Sequence, residues 1–169
     1  MTLRRLFVTL LTLGALASAS GSGAVSAPPP YKLATVTASL FYTESGTFSP
    51  DIPKDAILWN TIIGEGWAKE YSNSTLVRVT VTGARGSIGL SRSVRVAVRR
   101  GRATATGYAW GAVIARRSQP LGVLSRTGKT VSAFWLYDTG CEPLQVTATL
   151  VGQAPSPPVI RVIQFACGE

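Results

Sequence analysis

Eleven cations and not one carboxylate lie between Tyr71 and Tyr137: Arg78, Arg85, Arg92, Arg95, Arg99, Arg100, Arg102, Arg116, Arg117, Arg126 and Lys129. Ten of the eleven are arginine, whose planar guanidinium matches phosphate, sulfate and carboxylate oxygens two at a time. The chemistry this favours is charge-assisted contact with an anionic polymer or surface, such as an acidic polysaccharide, envelope phosphate, lipid headgroups or released nucleic acid. The set to examine is Arg95, Arg99, Arg100 and Arg102, with Arg78, Arg116 and Arg117 as weaker contributors. A plainer account also fits: solvated strand positions take charge, and charged edges keep sheets from pairing with one another. The slightly acidic flanking segments could also fold over the basic block and neutralise it.

The chain contains no histidine, which removes serine–histidine and cysteine–histidine triads and the usual imidazole ligands of zinc and copper. No cofactor motif stands out, and none is expected. Glu44, Asp51, Asp55, Glu65 and Glu70, with Asp138 and Glu142 further on, leave one enzymatic option: a glycan hydrolase working with two carboxylates, if two of them converge. Asp51, Asp55 and Asp138 could steady a calcium ion, but the dense acidic ladder of a calcium loop is missing and no metal site is assigned. Trp67, Tyr71 and Trp110, close to arginines, could form a stacking platform for sugars or bases, although packing is the commoner use of each. Gly64-Glu65-Gly66-Trp67 reads as a glycine-rich turn, since no helix follows for its amides to cap. Asn73-Ser74-Thr75 matches a glycosylation acceptor.

Cys141 and Cys167 are the whole thiol inventory, and an even pair in an oxidising compartment predicts a disulfide. With its ends 26 positions apart in the chain, such a bridge would remove about 3.5 kcal/mol of unfolded-chain entropy.

These groups must be positioned by strands. Short runs rich in valine, threonine, isoleucine and aromatics recur between turn-forming clusters, and no amphipathic helix pattern emerges. Strands are predicted over 33–42, 56–63, 75–82, 93–99, 102–110, 112–116, 130–137, 143–151 and 159–166. They imply an all-β fold, a two-layer antiparallel β-sandwich of about seven to nine strands, with a β-barrel as the alternative. Val77, Val79 and Val81 should face inward, as should Val146, Ala148 and Leu150. The run 56–63 is apolar at both parities, as a central strand would be, with Trp59 in the core beside Phe134, Trp135 and Leu136.

A two-residue turn at Arg100-Gly101 would pair Arg99 with Arg102. One face would then collect Val94, Val96, Val98, Ala103, Ala105 and Gly107, and the other Arg95, Ala97, Arg99, Arg102, Thr104 and Thr106. That register gathers the arginines, at a cost of a few tenths of a kcal/mol from opposed like charges.

Residues 1–19 fit an export signal. Arg4 and Arg5 precede an apolar run of about 11 residues that ends in Ala17-Ser18-Ala19, too short for the roughly 20 residues of a membrane span. No later stretch is long or apolar enough to span, so no integral membrane segment is expected once the signal is cleaved, and the product should be secreted or otherwise extracytoplasmic. Residues 20–30, with three consecutive prolines, read as a flexible tether, and residues 31–169 as one domain. The formal net charge of +9 falls to about +7 when Arg4 and Arg5 leave. The expectation is therefore a secreted, non-catalytic module with a basic face. The alternatives are an envelope structural or protein-interaction module contacting partners through strand edges or loops, and the glycan hydrolase.

Overall fold

The computed structural model describes residues 31–168; residues 1–19 and 20–30, expected to be an export signal and a tether, lie outside the described residues. Eight strands form two packed sheets: β1 (Lys32–Phe41), β2 (Ile57–Trp59), β3 (Ser74–Thr82), β4 (Ser93–Thr104), β5 (Gly107–Pro120), β6 (Lys129–Tyr137), β7 (Leu144–Val151) and β8 (Val159–Ala166). A three-stranded sheet runs β1-β3-β6 and a five-stranded sheet runs β2-β8-β7-β4-β5. Pairing is antiparallel except between β2 and β8. The fold is a β-sandwich and the sheets do not close into a barrel.

Alternation explains the layers. Val77, Val79 and Val81 of β3, with Phe134 and Leu136 of β6, point from the smaller sheet into the core. They meet Val94, Val96 and Val98 of β4, Val146, Ala148 and Leu150 of β7, and Ile163 and Phe165 of β8. Each strand has period 2, so one parity is buried and the other is left to the outer surface. Cys141 and Cys167 are joined in a disulfide, S–S 2.02 Å, that ties the approach to β7 to the end of β8.

The free edge of β1 is covered by the segment that follows it. Ser49 N–H donates to the Leu40 carbonyl and Ile52 N–H to that of Ala38, while Ser49 Oγ and Asp51 Oδ1 accept from the amides of Leu40 and Ala38. Arg161, on the inward face of β8, fixes this segment by donating to the Ile52 carbonyl. The residue is 4 % exposed. Burial lowers its pKa, opposed by the fields of Asp51 and Asp55.

Two expectations are corrected. The segment 56–63 is not a central strand: only Ile57–Trp59 pairs, at the sheet margin beside β8, and Thr61–Ile63 forms a 3-10 turn. Trp59 is accordingly 47 % exposed rather than in the core. The hairpin turn lies not at Arg100-Gly101 but at Ala105-Thr106, with Thr104 opposite Gly107. Gly107, at φ 134°, supplies the positive dihedral there. The segments predicted as 102–110 and 112–116 are therefore the end of one long strand and most of the next, with two register shifts between β4 and β5.

Candidate functional site: an arginine strip on the five-stranded sheet

Moving the turn redistributes the arginines. Val94, Val96 and Val98 stay buried, but β4 continues unbroken through residue 100, where it pairs with Leu144 of β7. Arg95 and Arg99 therefore face outward, while Arg100 and Arg102 share the inward parity of the valines. Arg102 lies opposite Ala109, not Arg99, so the expected pair of opposed arginines does not form. On β5, Arg116 pairs with Ala97 and faces outward, whereas Arg117 pairs with Val96 and faces the other way. Arg78 sits on the outer face of the three-stranded sheet, on the far side of the sandwich, donating to Ser39 Oγ at 3.0 Å.

Of the seven predicted residues, three share one face around Ala97, and Arg117, from the opposite parity, lines a shallow hollow with Arg95 and Arg116. Arg95 and Arg99 lie two residues before and after Ala97 on one strand, and Arg116 lies beside Ala97 on the next. Diagonal neighbours of this kind have Cα atoms roughly 7–8 Å apart, within reach of a guanidinium. Toward β7 and β8 the same face continues with Gln145, Thr147, Thr149, Val162 and Gln164. No strand residue of this face is acidic. Both ion pairs found among the described residues belong instead to Arg100, whose Nη2 lies 3.0 Å from Asp138 Oδ2 and whose Nε lies 3.4 Å from Glu142 Oε2.

The strip ends in two aromatic rings that the sequence reading placed only in part. Trp110 pairs with Gly101 and lies across it: a β-carbon at residue 101 would sit 2.6 Å from the indole ring. Tyr108 packs beside it, ring centroids 5.3 Å apart and planes 36° apart, and its hydroxyl donates to Gln164 Oε1 at 2.6 Å. Tyr108 gave no sequence signal, because the residue that pins it, Gln164, comes from the last strand. Trp67 packs against the core and Tyr71 stands apart from the strip, 56 % exposed.

The carboxylates are spread through local roles. Asp51 caps β1 as described, Glu70 accepts from the Ser45 amide at 3.0 Å, and Glu65 accepts from Asn60 Nδ2 at 2.9 Å. Asp138 and Glu142 meet only through Arg100. No cluster of three or more potential metal ligands occurs among the described residues. Asn73 lies in the turn before β3, where its carbonyl accepts from the Thr139 amide.

A second feature lies where the sheets diverge. At one point β5 and β6 touch, with Gln119 Nε2 donating to the Ala133 carbonyl at 2.7 Å. Further along they separate around a cleft of about 310 Å³ whose lining includes Val98, Ile114, Arg117, Leu136 and Tyr137. Trp135 and Tyr137 share the parity of Ala133, so their main-chain amides and carbonyls point away from β3 toward this opening. No family model and no curated protein matches the chain.

Proposed function

We propose that this chain is an exported, non-catalytic binding module that holds an anionic polymer against the outer face of its five-stranded sheet. The carrying observation is the grouping of Arg95, Arg99 and Arg116 around Ala97 on a face whose strands contribute no carboxylate. Export is supported by the charged, apolar and small-residue pattern of residues 1–19 together with the Cys141–Cys167 bridge. The basic set narrows from seven residues to a core of three with Arg117 at its margin: Arg100 is occupied by Asp138 and Glu142, Arg102 has the opposite strand parity, and Arg78 lies on the other sheet.

Exposed guanidiniums release counterions when they bind a polyanion, so retention on a polyanion matrix should fall steeply as salt rises. Replacing Arg95, Arg99 and Arg116 together by serine should abolish retention, and Arg78→Ser should leave it unchanged. Equal loss from both variants would show that net charge rather than this face does the work, and would defeat the proposal.

The cleft between β5 and β6 favours a second reading, a protein-interaction module of the envelope. A strand edge with unpaired main-chain groups beside an apolar opening suits an extended peptide. Crosslinking from a photoreactive residue at 114 would capture a protein partner on this reading and none on the first.

A further inference from the structure

We infer that the polymer is an acidic polysaccharide, with a sugar ring stacked on Trp110 and its acidic groups held by Arg99, Arg95 and Arg116. The inference rests on the arginine-strip reading and adds the class of ligand. Three observations on one face lead to it.

The first is how Trp110 is held. Gly101 has no side chain, so the indole lies down on the strand instead of standing off it. Tyr108, pinned by its bond to Gln164, limits lateral movement. The result is a fixed, partly buried aromatic ring lying along the sheet, its open side suited to the flat C–H face of a pyranose. A ring held this way cannot project into a bilayer, so a lipid surface is disfavoured even though Arg side chains suit its headgroups.

The second is linear order. Arg95, Arg99 and Gly101 lie on one side of β4, and at about 3.3 Å per residue the two arginines are roughly 13 Å apart, with the indole roughly 7 Å beyond Arg99. Arg116 flanks the first interval. An extended chain can touch all four along one line, whereas a compact anion could touch only part of the set.

The third is charge density. Three guanidiniums along roughly 20 Å are interspersed with Gln145, Thr147 and Thr149, whose neutral amides and hydroxyls match sugar hydroxyls. A nucleic-acid strand stacked as in a duplex carries a phosphate about every 3.4 Å and would place about six charges over that length. A glycan with acidic groups on some or all of its rings, and hydroxyls between, fits the donors present.

Binding is measured by tryptophan fluorescence and calorimetry with polygalacturonate, its fully methyl-esterified neutral form, polyphosphate, oligo-dT and phosphatidylglycerol vesicles. Polygalacturonate should bind most tightly and its ester should not bind. Trp110→Ala should weaken polygalacturonate about tenfold or more while changing polyphosphate by less than about twofold, and Trp110→Phe should recover much of the loss. Tyr108→Phe, which keeps the ring but loses the bond to Gln164, provides a second variant if Trp110→Ala unfolds; it should weaken polygalacturonate alone. Preference for polyphosphate, oligo-dT or vesicles, or indifference of polygalacturonate binding to both aromatic variants, would overturn the polysaccharide assignment while leaving the arginine strip intact. Failure of every polyanion to bind would overturn both.

Discussion

Arg100 grips Asp138 twice, its Nη2 donating to the main-chain carbonyl at 2.9 Å and to Oδ2 at 3.0 Å. The contact joins β4 of one sheet to the residue just beyond β6 of the other, and it turns an arginine that sequence assigned to ligand into a strut between layers. Asp138 is held with φ at 55°. Because Asp138 is well exposed and Arg100 partly so, the ion pair contributes modestly. Arg100→Ser should lower stability by about 0.5–1 kcal/mol in urea unfolding and leave polyanion retention at the wild-type salt midpoint. A drop in retention as large as that of the Arg95/Arg99/Arg116 variant would place Arg100 in the binding face after all.

The disulfide predicts a second outcome. Cutting it with reductant, or replacing Cys141 and Cys167 by serine, should cost about 2–4 kcal/mol. Thermal unfolding with and without reductant reads this directly, and the double-serine protein should show no reductant effect.

Arg161 sets up a contrast between two substitutions. Its guanidinium is desolvated, its Nε has no hydrogen-bond partner among the described residues, and its one hydrogen-bond acceptor is the Ile52 carbonyl. Arg161→Ala removes that donor and leaves a void, which should cost about 2–4 kcal/mol. Arg161→Met fills the space and removes the desolvated charge along with the bond, so its net effect should stay within about 1 kcal/mol. Denaturant midpoints of the two variants test the difference.

Asp51 protects an edge. Its carboxylate accepts the Ala38 amide at 2.8 Å, on a strand whose neighbour at that position is a loop. Asp51→Ala should cost about 1–3 kcal/mol through the orphaned amide. Hydrogen exchange should speed up at Ala38, while amides of β3, paired on both sides, keep their protection.

The layers of this fold could be read from alternation alone, because burial of one parity is a local property: Val77, Val79 and Val81, and Val94, Val96 and Val98, all face the core as their spacing requires. The Cys141–Cys167 bridge was equally legible, there being only one way to pair two cysteines. The hairpin was not. Gly101 looks like a turn glycine, yet its role is to make room for Trp110, a contact set by pairing across the hairpin and invisible in the immediate sequence. Misplacing that turn by a few residues reversed the faces assigned to Arg102 and Ala103. Ile57–Trp59 failed for a similar reason, since its only ladder partner is β8, more than 100 residues later. Arg95, Arg99 and Arg116 could be suspected individually, but their grouping depends on the register of β5, which carries two irregularities that the sequence does not announce.

The covalent link also decides how the molecule would respond to a pull. Tension applied beyond Cys167 passes through the sulfur bridge to Cys141, just past the end of β6, and bypasses the backbone of β7 and β8. Those two strands stay sheltered while the segments ahead of Cys141 give way. The 26-residue step from Cys141 to Cys167 withholds roughly 90 Å of contour length from any extension, so a stretched molecule would stop short of its full reach with part of its larger sheet still paired.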